Sequence, residues 1–313
     1  LKSNSLDIVL IGTPDHWHAL TCIEALKSGA HVYVQKPISV DVMEGEAMVA
    51  AARKYNKVVQ VGTQRKSTPH LVAAKKQIID TGMLGTIGHV DMSCYYHMRA
   101  NGNPPEQEVP NFFDYEMWTG PAPMRPYDGL PHKRWWRTFR EYGNISDTQS
   151  AVFEYEDHNC NWQHRTWGNP DDTDYPWAFK IYGEKGVLKG DVMKAEFIPV
   201  DGSDSIRFDV VYEKEKYPED LTEKDIELHA APATRRHMID FLNAIQNNTT
   251  PVADIENGHI STASCILANL SMDLKRPLIY DPQSRTVLRD PEATALLQRD
   301  YRGQWKHPHP DTV

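Results

Sequence analysis

The apolar residues at the start of the chain fall into three short runs separated by segments of helix length. The runs are Asp7–Ile11, His31–Val34 and Val58–Val61. Such alternation is typical of strands in a parallel sheet whose two faces are both covered by helices. The pattern therefore predicts βαβ crossovers and an α/β fold over residues 1–85.

Helix start and stop signals lie between and after these runs. Asp41 is a candidate N-cap with Glu44 three residues further on, and Gly29 and Asn56 are candidate stops. We predict three helices over residues 15–29, 41–56 and 68–82.

From Thr86 onward the hydrophobic period changes to two. Between Thr86 and Met98, Cys94 falls on the apolar face of a predicted strand and Tyr95 on the other. Further strands are predicted in pairs, at 148–155 with 160–167, 177–182 with 187–188, and 196–200 with 205–212. Helices follow from Pro232 and from about Glu256. This pattern predicts an α+β domain with a large, mostly antiparallel open sheet over residues 86–280, and a tail of little periodicity over 281–313.

Composition narrows the classes of partner. The chain has 313 residues, 40% of them hydrophobic, with a net charge of -9 and no basic run, which argues against a nucleic-acid partner. No apolar run approaches the ~20 residues of a membrane span. The four cysteines have no metal-ligand spacing, so we expect buried apolar thiols and no metal site. Since Leu1 stands where Met would start a gene, we expect a preceding segment, and the compartment, cytoplasm or periplasm, is left open.

Polar residues follow each predicted parallel strand at the edge where open sheets bind ligands. Lys36 is the most specific of them, because an ammonium there can hydrogen-bond a substrate hydroxyl and favour its ionised form; an ordinary surface lysine is the alternative. The stretch Asp15-His16-Trp17-His18 offers backbone N–H groups, two imidazoles and an indole to a ribose or phosphate. The alternative is a capping Asp with a buried Trp and two surface histidines. Gln64 either donates to a carboxamide or only ends a strand.

Together these stretches resemble a known family. The segments 11–19 (IGTPDHWHA), 29–37 (GAHVYVQKP), 59–64 (VQVGTQ), 118–123 (WTGPAP) and 181–186 (IYGEKG) are similar to the Gfo/Idh/MocA oxidoreductases. The resemblance implies a partial Rossmann doubly wound sheet followed by an α/β domain, NAD or NADP as cofactor, and a sugar, polyol or glycoside substrate. It implies Lys36 as the catalytic residue that touches cofactor and substrate. It implies cofactor contacts from Thr13, Pro14, Asp15, His16, Trp17, His18, Gln35, Lys36, Pro37 and Gln64, and substrate contacts from Tyr95, Arg137 and His164.

The chain departs from the family pattern in three places. Gln35 replaces the glutamate of the family's Glu-Lys-Pro motif and keeps a hydrogen-bonding side chain without its charge. The Gly-x-Gly-x-x-Gly turn and the acidic ribose ligand are missing, consistent with two lost βα units before Leu1. After Gly143 the family's helix with an Asp and a catalytic His is missing too; His132, His158 and His164 are conceivable substitute bases.

Three functions fit this sequence. The first is an NAD(P)-dependent dehydrogenase of sugars or polyols. The second is redox-neutral glycoside cleavage, in which the cofactor oxidises C3 transiently. The third is a non-catalytic sugar-binding subunit. Because the base and phosphate turn are missing, we expect these 313 residues by themselves not to oxidise sugars with NAD. A homo-oligomer is expected if the open face of the second sheet is apolar.

Overall fold

The alternation at the start of the chain folds into a three-stranded parallel sheet. The computed structural model describes residues 6–95, 105–129, 148–165, 167–224 and 226–313, and its first strands are β1 (Ile8–Ile11), β2 (His31–Val34) and β3 (Val59–Val61). They pair in the order β1-β2-β3, with Ile11 opposite Val34 and Val34 opposite Val61. The predicted parallel arrangement is confirmed.

The chain divides into two units. The first comprises residues 1–63, 103–143 and 240–313, and the second comprises 64–102 and 144–239. The helices, in chain order, are α1 (His18–Lys27), α2 (Val42–Lys54), α3 (Pro69–Ala74), α4 (Tyr115–Thr119), α5 (Ala231–Asn247), α6 (Ile255–Leu274) and α7 (Pro291–Ala295). None of the helices formed by the described residues is both long and apolar enough to span a bilayer.

Local signals set the ends of α2. The Asp41 carboxylate accepts a hydrogen bond from the backbone N–H of Glu44 at 2.7 Å, as predicted. A cap of this kind stabilises a helix by about 1 kcal/mol. Asn56 follows the helix in the left-handed region with φ of 50°, which Asn tolerates better than most residues. The sequence therefore fixes both the start and the end of this helix locally.

The core of the first unit lies between the parallel sheet and its helices. Leu26 of α1 and Met48 of α2 are fully buried with Val32 and Val34 of β2. Removing such a side chain from water stabilises the fold by about 1.5–3 kcal/mol. This packing of α1 and α2 against the sheet fixes the position of the edge at which the strands end.

The second unit contains a seven-stranded sheet. Its strands are β4 (Ile87–Tyr95), β5 (Thr148–Glu154), β6 (Asn159–Arg165), β7 (Trp177–Gly183), β8 (Gly186–Gly190), β9 (Lys194–Pro199) and β10 (Ile206–Asp209). They pair in the order β10-β9-β8-β7-β4-β6-β5. Among the described strands every neighbouring pair is antiparallel except β4 with β6. The prediction of a large, mostly antiparallel sheet is confirmed.

The two faces of this sheet differ in polarity. On one face Leu188 and Phe197 are buried against Ala74, the last residue of α3, and Ile78, four residues further on. The opposite face carries Lys180 and Lys189, which form ion pairs with Asp172 at 2.9 and 3.3 Å. The condition on which we expected oligomer formation, an apolar open face, is therefore not met at these positions.

The expectation that all four cysteines are buried was wrong. Cys265 is exposed, whereas Cys22 and Cys160 are buried and Cys94 is half-buried. The tail forms a hairpin of β11 (Tyr280–Asp281) and β12 (Thr286–Val287) and then α7. Leu297 beyond it is almost fully buried. Elements this short produce no measurable period, which explains why the pattern missed them.

Candidate functional site

The loops that follow β1 and β2 lie side by side at one edge of the first sheet. The backbone N–H of Gln35 donates to the carbonyl oxygen of Ile11 at 2.9 Å, which continues the ladder one residue beyond the strands. Thr13 and Pro14 follow on one side, and Lys36 and Pro37 on the other. The structure thus brings these predicted cofactor residues together within the first unit.

Lys36 extends into solvent from this edge. It is exposed, and its ammonium group forms no hydrogen bond or ion pair with any residue that the structure describes. Its backbone N–H donates to the side-chain oxygen of Gln35 at 2.8 Å. The amine is consequently available to a ligand while its backbone is held in place.

Gly62 makes room for the Gln35 side chain. A Cβ added at Gly62 would lie 2.8 Å from the side-chain oxygen of Gln35 and 3.3 Å from its Cα, closer than real Cβ contacts. Gln35 therefore folds over the glycine and accepts from the backbone of Lys36. The loss of the family's glutamate charge at this position leaves the backbone contact intact.

Thr13 provides a buried hydroxyl for a ligand. Its Oγ1 is buried and has no hydrogen-bond partner among the described residues. An unsatisfied buried hydroxyl costs about 1–3 kcal/mol, which a bound polar group would recover. Beside it, a Cβ added at Gly12 would meet no described atom within 4 Å, so there is open space at the loop. These features fit the ribose or nicotinamide end of a dinucleotide.

His18 lies beneath the loops and has no access to a ligand. The side chain is fully buried. Its Nδ1 lies 2.7 Å from the carbonyl oxygen of Pro37, and its Nε2 lies 2.9 Å from that of Thr13. Both ring nitrogens are thus occupied by the protein, so the expectation that His18 touches the cofactor stays a prediction that this geometry does not favour.

His16 and Trp17 share one acceptor. The Nε2 of His16 donates to the carbonyl oxygen of Trp118 at 2.8 Å, and the indole N–H of Trp17 donates to the same oxygen at 3.0 Å. These N–H groups, expected to bind ribose or phosphate, instead hold the loop to the segment around Trp118. Asp15 begins the short 3-10 turn that contains them.

Burial sets the protonation of His16. Desolvation lowers its pKa from 6.5 to about 4, although the hydrogen bond to Trp118 acts in the opposite direction. The nearby Arg299 and His18 lower it further. The ring is therefore neutral at neutral pH, with its proton on Nε2, where the carbonyl requires it.

A segment near the C-terminus holds the same loop from the other side. The guanidinium of Arg302 donates to the carbonyl oxygens of Gly120 at 3.0 Å and Ala122 at 3.1 Å. The ring of Trp305 packs edge-on against Trp17 with centroids 4.8 Å apart. We call residues 118–122 together with 299–305 the loop clamp. No sequence pattern in the tail pointed to it.

A buried ionic network anchors the clamp to α2. Arg299 donates to the Glu44 carboxylate at 2.8 Å and to the carbonyl oxygen of His16 at 3.3 Å. Tyr301 donates to the same carboxylate at 2.5 Å, and His307 lies 2.9 Å from the Asp41 carboxylate. Since protein donors occupy these carboxylates, we read the group as structural, although ligand atoms of Asp41, Glu44 and His307 lie within 4.8 Å of one another.

The shifts in this network follow from burial and charge. Burial, and then the neighbouring Asp41, raises the pKa of Glu44, while Arg299 acts in the opposite direction. Burial alone would lower the pKa of His307, but its hydrogen bond to Asp41 raises it overall. Arg299 thus supplies the compensating charge that a buried pair of carboxyl groups needs.

The second unit holds three of the remaining predicted residues, Gln64, Tyr95 and His164. Gln64 begins a short helical turn over Gln64–Ser67. Tyr95 lies opposite Arg165 in the β4–β6 ladder, whereas His164 lies opposite Cys94. Tyr95 and His164 therefore point to opposite faces of the sheet and cannot contact one ligand on a single face. Arg137 lies outside the described residues.

Comparison with known proteins supports a family. Residues 1–63 match the oxidoreductase family with an NAD-binding Rossmann fold, GFO_IDH_MocA. Residues 69–150 and 180–307 match the C-terminal alpha/beta domain of the same oxidoreductase family. The two matches together cover most of the chain, including both the loops at the first sheet and the large mixed sheet.

Individual relatives are more distant. The chain is 29% identical over 111 residues to the scyllo-inositol 2-dehydrogenase (NAD(+)) of Bacillus subtilis, a match that covers 35% of this chain and 30% of that protein. A glycosyl hydrolase family 109 protein of Shewanella sp. is 39% identical over 57 residues, which covers 18% of this chain and 12% of the relative. Across the first three curated relatives, the matched segments span 23% to 25% of their lengths.

Solved structures extend the likeness in fold. An oxidoreductase from Agrobacterium radiobacter, crystallised with NAD+, L-tartaric acid and magnesium, superposes with a TM-score of 0.61 at 12% identity. The match covers 88% of this chain and 80% of that one. At this identity the likeness concerns the fold alone.

Proposed function

The chain belongs to the Gfo/Idh/MocA oxidoreductase family, and from this we propose that the full-length protein is an NAD(P)-dependent dehydrogenase that oxidises a secondary hydroxyl of a sugar or polyol. The observation that carries the proposal is the exposed Lys36 amine, without a protein partner among the described residues, at the sheet edge that also presents the buried hydroxyl of Thr13. To bind an alcohol next to a nucleotide, a site needs a cation that contacts the alcohol and a polar group that contacts the nucleotide.

The chemistry divides between the cofactor and the chain. When bound, the oxidised nicotinamide supplies the acceptor for the hydride that leaves the carbinol carbon. Lys36 donates a hydrogen bond to the substrate hydroxyl and so stabilises the alkoxide that forms as the hydroxyl proton leaves. Gln35 holds the backbone of Lys36, and the Thr13 hydroxyl binds the nucleotide. The products are a ketone, the reduced cofactor and a proton.

The site and one relative support a class of substrates to test. A primary amine donates to any hydroxyl, and it selects polyhydroxy compounds only together with further polar groups; Tyr95, Arg137 and His164 stay candidates for those groups. The inositol dehydrogenase among the relatives acts on a cyclic polyol. We therefore place cyclic polyols and pyranoses first among the substrates to test, with NAD+ and NADP+ both as cofactor.

The decisive experiment is a cofactor-dependent assay on the full-length protein. Reduced nicotinamide should appear when the protein is incubated with NAD+ or NADP+ and a panel of inositols, aldoses and glycosides. Lys36→Met should lower kcat by about 10²–10⁴, the usual range for a group that assists proton transfer. Lys27→Met, which removes an exposed lysine paired with Glu24, should leave kcat unchanged.

Two outcomes would contradict the proposal. One is the absence of turnover with every compound and both cofactors. The other is a Lys36→Met variant that is as active as the wild type.

Glycoside cleavage is the second candidate, because a glycosyl hydrolase family 109 protein shares 39% identity with this chain over 57 residues. In that reaction a transient oxidation is reversed within one turnover. Released aglycone without accumulation of reduced nicotinamide would identify it.

A further inference from the structure

His18 joins the two loops on which the proposed reaction depends. It is the first residue of α1, directly below the loop after β1. Its Nδ1 lies 2.7 Å from the carbonyl oxygen of Pro37, and its Nε2 lies 2.9 Å from that of Thr13. One side chain thus spans the gap between the strand ends of β1 and β2.

The two carbonyl groups lie just beyond the regular ladder. The backbone hydrogen bonds between β1 and β2 continue as far as the bond from Gln35 to Ile11. Backbone oxygens need another donor wherever the ladder stops. Both of these oxygens can only accept, so the two contacts are hydrogen bonds together only when each ring nitrogen of His18 carries a proton. The His18 side chain that supplies the donors is fully buried.

Each contact acts on a different functional group. Pro37 directly follows Lys36, so a shift of the Pro37 carbonyl moves the Lys36 backbone and its amine with it. Thr13 carries both the carbonyl that His18 holds and the buried hydroxyl without a described partner. We propose that His18 is a positioning residue whose Nδ1 contact places the catalytic amine and whose Nε2 contact places the hydroxyl that binds the cofactor. This inference rests on the proposed dehydrogenase function.

Two substitutions can separate these contacts. The amide nitrogen of Asn lies close to the position of Nδ1 of His, and that of Gln lies close to the position of Nε2. His18→Asn should therefore keep the contact with Pro37 and lose the contact with Thr13. His18→Gln should do the reverse. An imidazole that only filled space would give no such reciprocal pattern.

The test measures two quantities on the full-length protein. With His18→Gln, kcat should fall by roughly 10–100-fold, since a misplacement of about 1 Å costs up to 10²-fold, and the Kd for NAD+ measured by calorimetry without substrate should stay within about threefold. With His18→Asn, the Kd for NAD+ should rise about tenfold, the effect of one hydrogen bond, while kcat at saturating cofactor stays within about threefold.

Controls separate this effect from general destabilisation. His259 is also a buried histidine of the first unit, and its Nε2 lies 3.0 Å from the Glu46 carboxylate. His259→Asn and His259→Gln should change the melting temperature without changing kcat or the Kd. If the His18 variants do not fold, Thr13→Val keeps the Thr13 carbonyl on His18 and removes only the hydroxyl. It should raise the Kd for NAD+ measured by calorimetry without substrate by about tenfold, the effect of one hydrogen bond.

Several results would overturn the proposal. They are equal losses of kcat and affinity in both His18 variants, no change in either, and a Thr13→Val variant whose Kd for NAD+ is unchanged. These results differ from a failure of the proposed function. In that case the wild-type protein itself shows no turnover with any substrate, although the effects on the Kd for NAD+ can still be measured.

Discussion

The indole N–H of Trp17 donates to the carbonyl oxygen of Trp118 at 3.0 Å, although 101 residues separate the two in the chain. His16 donates to the same oxygen. One backbone carbonyl thereby fixes two neighbouring side chains of the loop after β1. The conformation of that loop depends on the loop clamp as much as on the strand that precedes it.

Gly120→Ala should displace Trp17. Gly120 has φ of 49° and ψ of -123°, a conformation that glycine adopts far more readily than other residues, and a Cβ there would overlap Cζ2 of Trp17. Overpacking of this kind costs about 1–3 kcal/mol in addition to the backbone strain. Urea unfolding, followed by tryptophan fluorescence, would measure the loss.

Gly202→Ala is the matched control for this prediction. Gly202 has φ of 78°, and a Cβ there meets no described atom within 4 Å, so it introduces the backbone strain alone. Its cost should be about 1–2 kcal/mol. Equal losses in the two variants would show that Trp17 does not pack against Gly120.

Arg302→Lys should weaken binding of the cofactor without a change at any residue that touches it. A lysine cannot donate to the carbonyl oxygens of Gly120 and Ala122 together, because it lacks the planar fork of a guanidinium. We expect a loss of about 1–2 kcal/mol in stability and a several-fold higher Kd for NAD+. Arg207→Lys, at an exposed arginine of β10, should change neither quantity. An unchanged Kd for NAD+ in Arg302→Lys would show that the loop clamp does not influence cofactor binding.

His16→Gln should remove one source of acid sensitivity. The folded-state pKa of His16, about 4, lies below the ordinary 6.5. The stability that depends on the neutral ring is therefore complete above pH 6.5 and is lost as the pH falls through 6.5 toward 4. Gln places an N–H near the position of Nε2 and does not titrate. Between pH 7.5 and pH 5 the wild type should lose about 2 kcal/mol more than the variant.

Thermal unfolding at several pH values would check this difference. All other titrating groups are common to the two proteins, so the comparison isolates His16. Parallel stability curves over this range would mean that the ring is not desolvated in the folded protein.

Gly62→Ala should disturb Lys36 through Gln35. The new Cβ would lie 2.8 Å from the Gln35 oxygen that accepts from the backbone of Lys36, so the side chain must leave that position. We expect a fall in kcat of about tenfold or more, because a small misplacement of a reacting group is costly. In a Gln35→Ala background most of this additional fall should disappear, and a double-mutant cycle would measure the coupling. If the effects of Gly62→Ala and Gln35→Ala on kcat were additive, Gly62 would not act on Lys36 through Gln35.

The sequence predicted those parts of the fold that short-range patterns determine. The three parallel strands and the Asp41 cap each depend on residues close together in the chain, as do the hairpins of the second sheet. The adjacency of Thr13 and Lys36 followed from one general rule, that the carboxyl ends of parallel strands meet at one edge.

Contacts between segments that are distant in the chain could not be predicted from the sequence pattern. Alternation within β4 placed Cys94 and Tyr95 on different faces, but the parallel pairing of β4 with β6, which sets the face of His164, joins segments about 70 residues apart. The Arg299–Glu44 ion pair spans 255 residues and has no local signal. The hydrogen bonds from the side chains of His16 and Trp17 to the carbonyl oxygen of Trp118 also have no local signal in the sequence.

The bond from Arg299 to the His16 carbonyl spans 283 residues. During synthesis, the βα unit that carries His16 emerges from the ribosome well before the segment around Arg299 that restrains it. Contacts between such distant segments close late in folding, because the connecting chain must first be ordered. A nascent chain therefore carries the nucleotide loop in an unfinished form until the segment around Arg299 has also emerged.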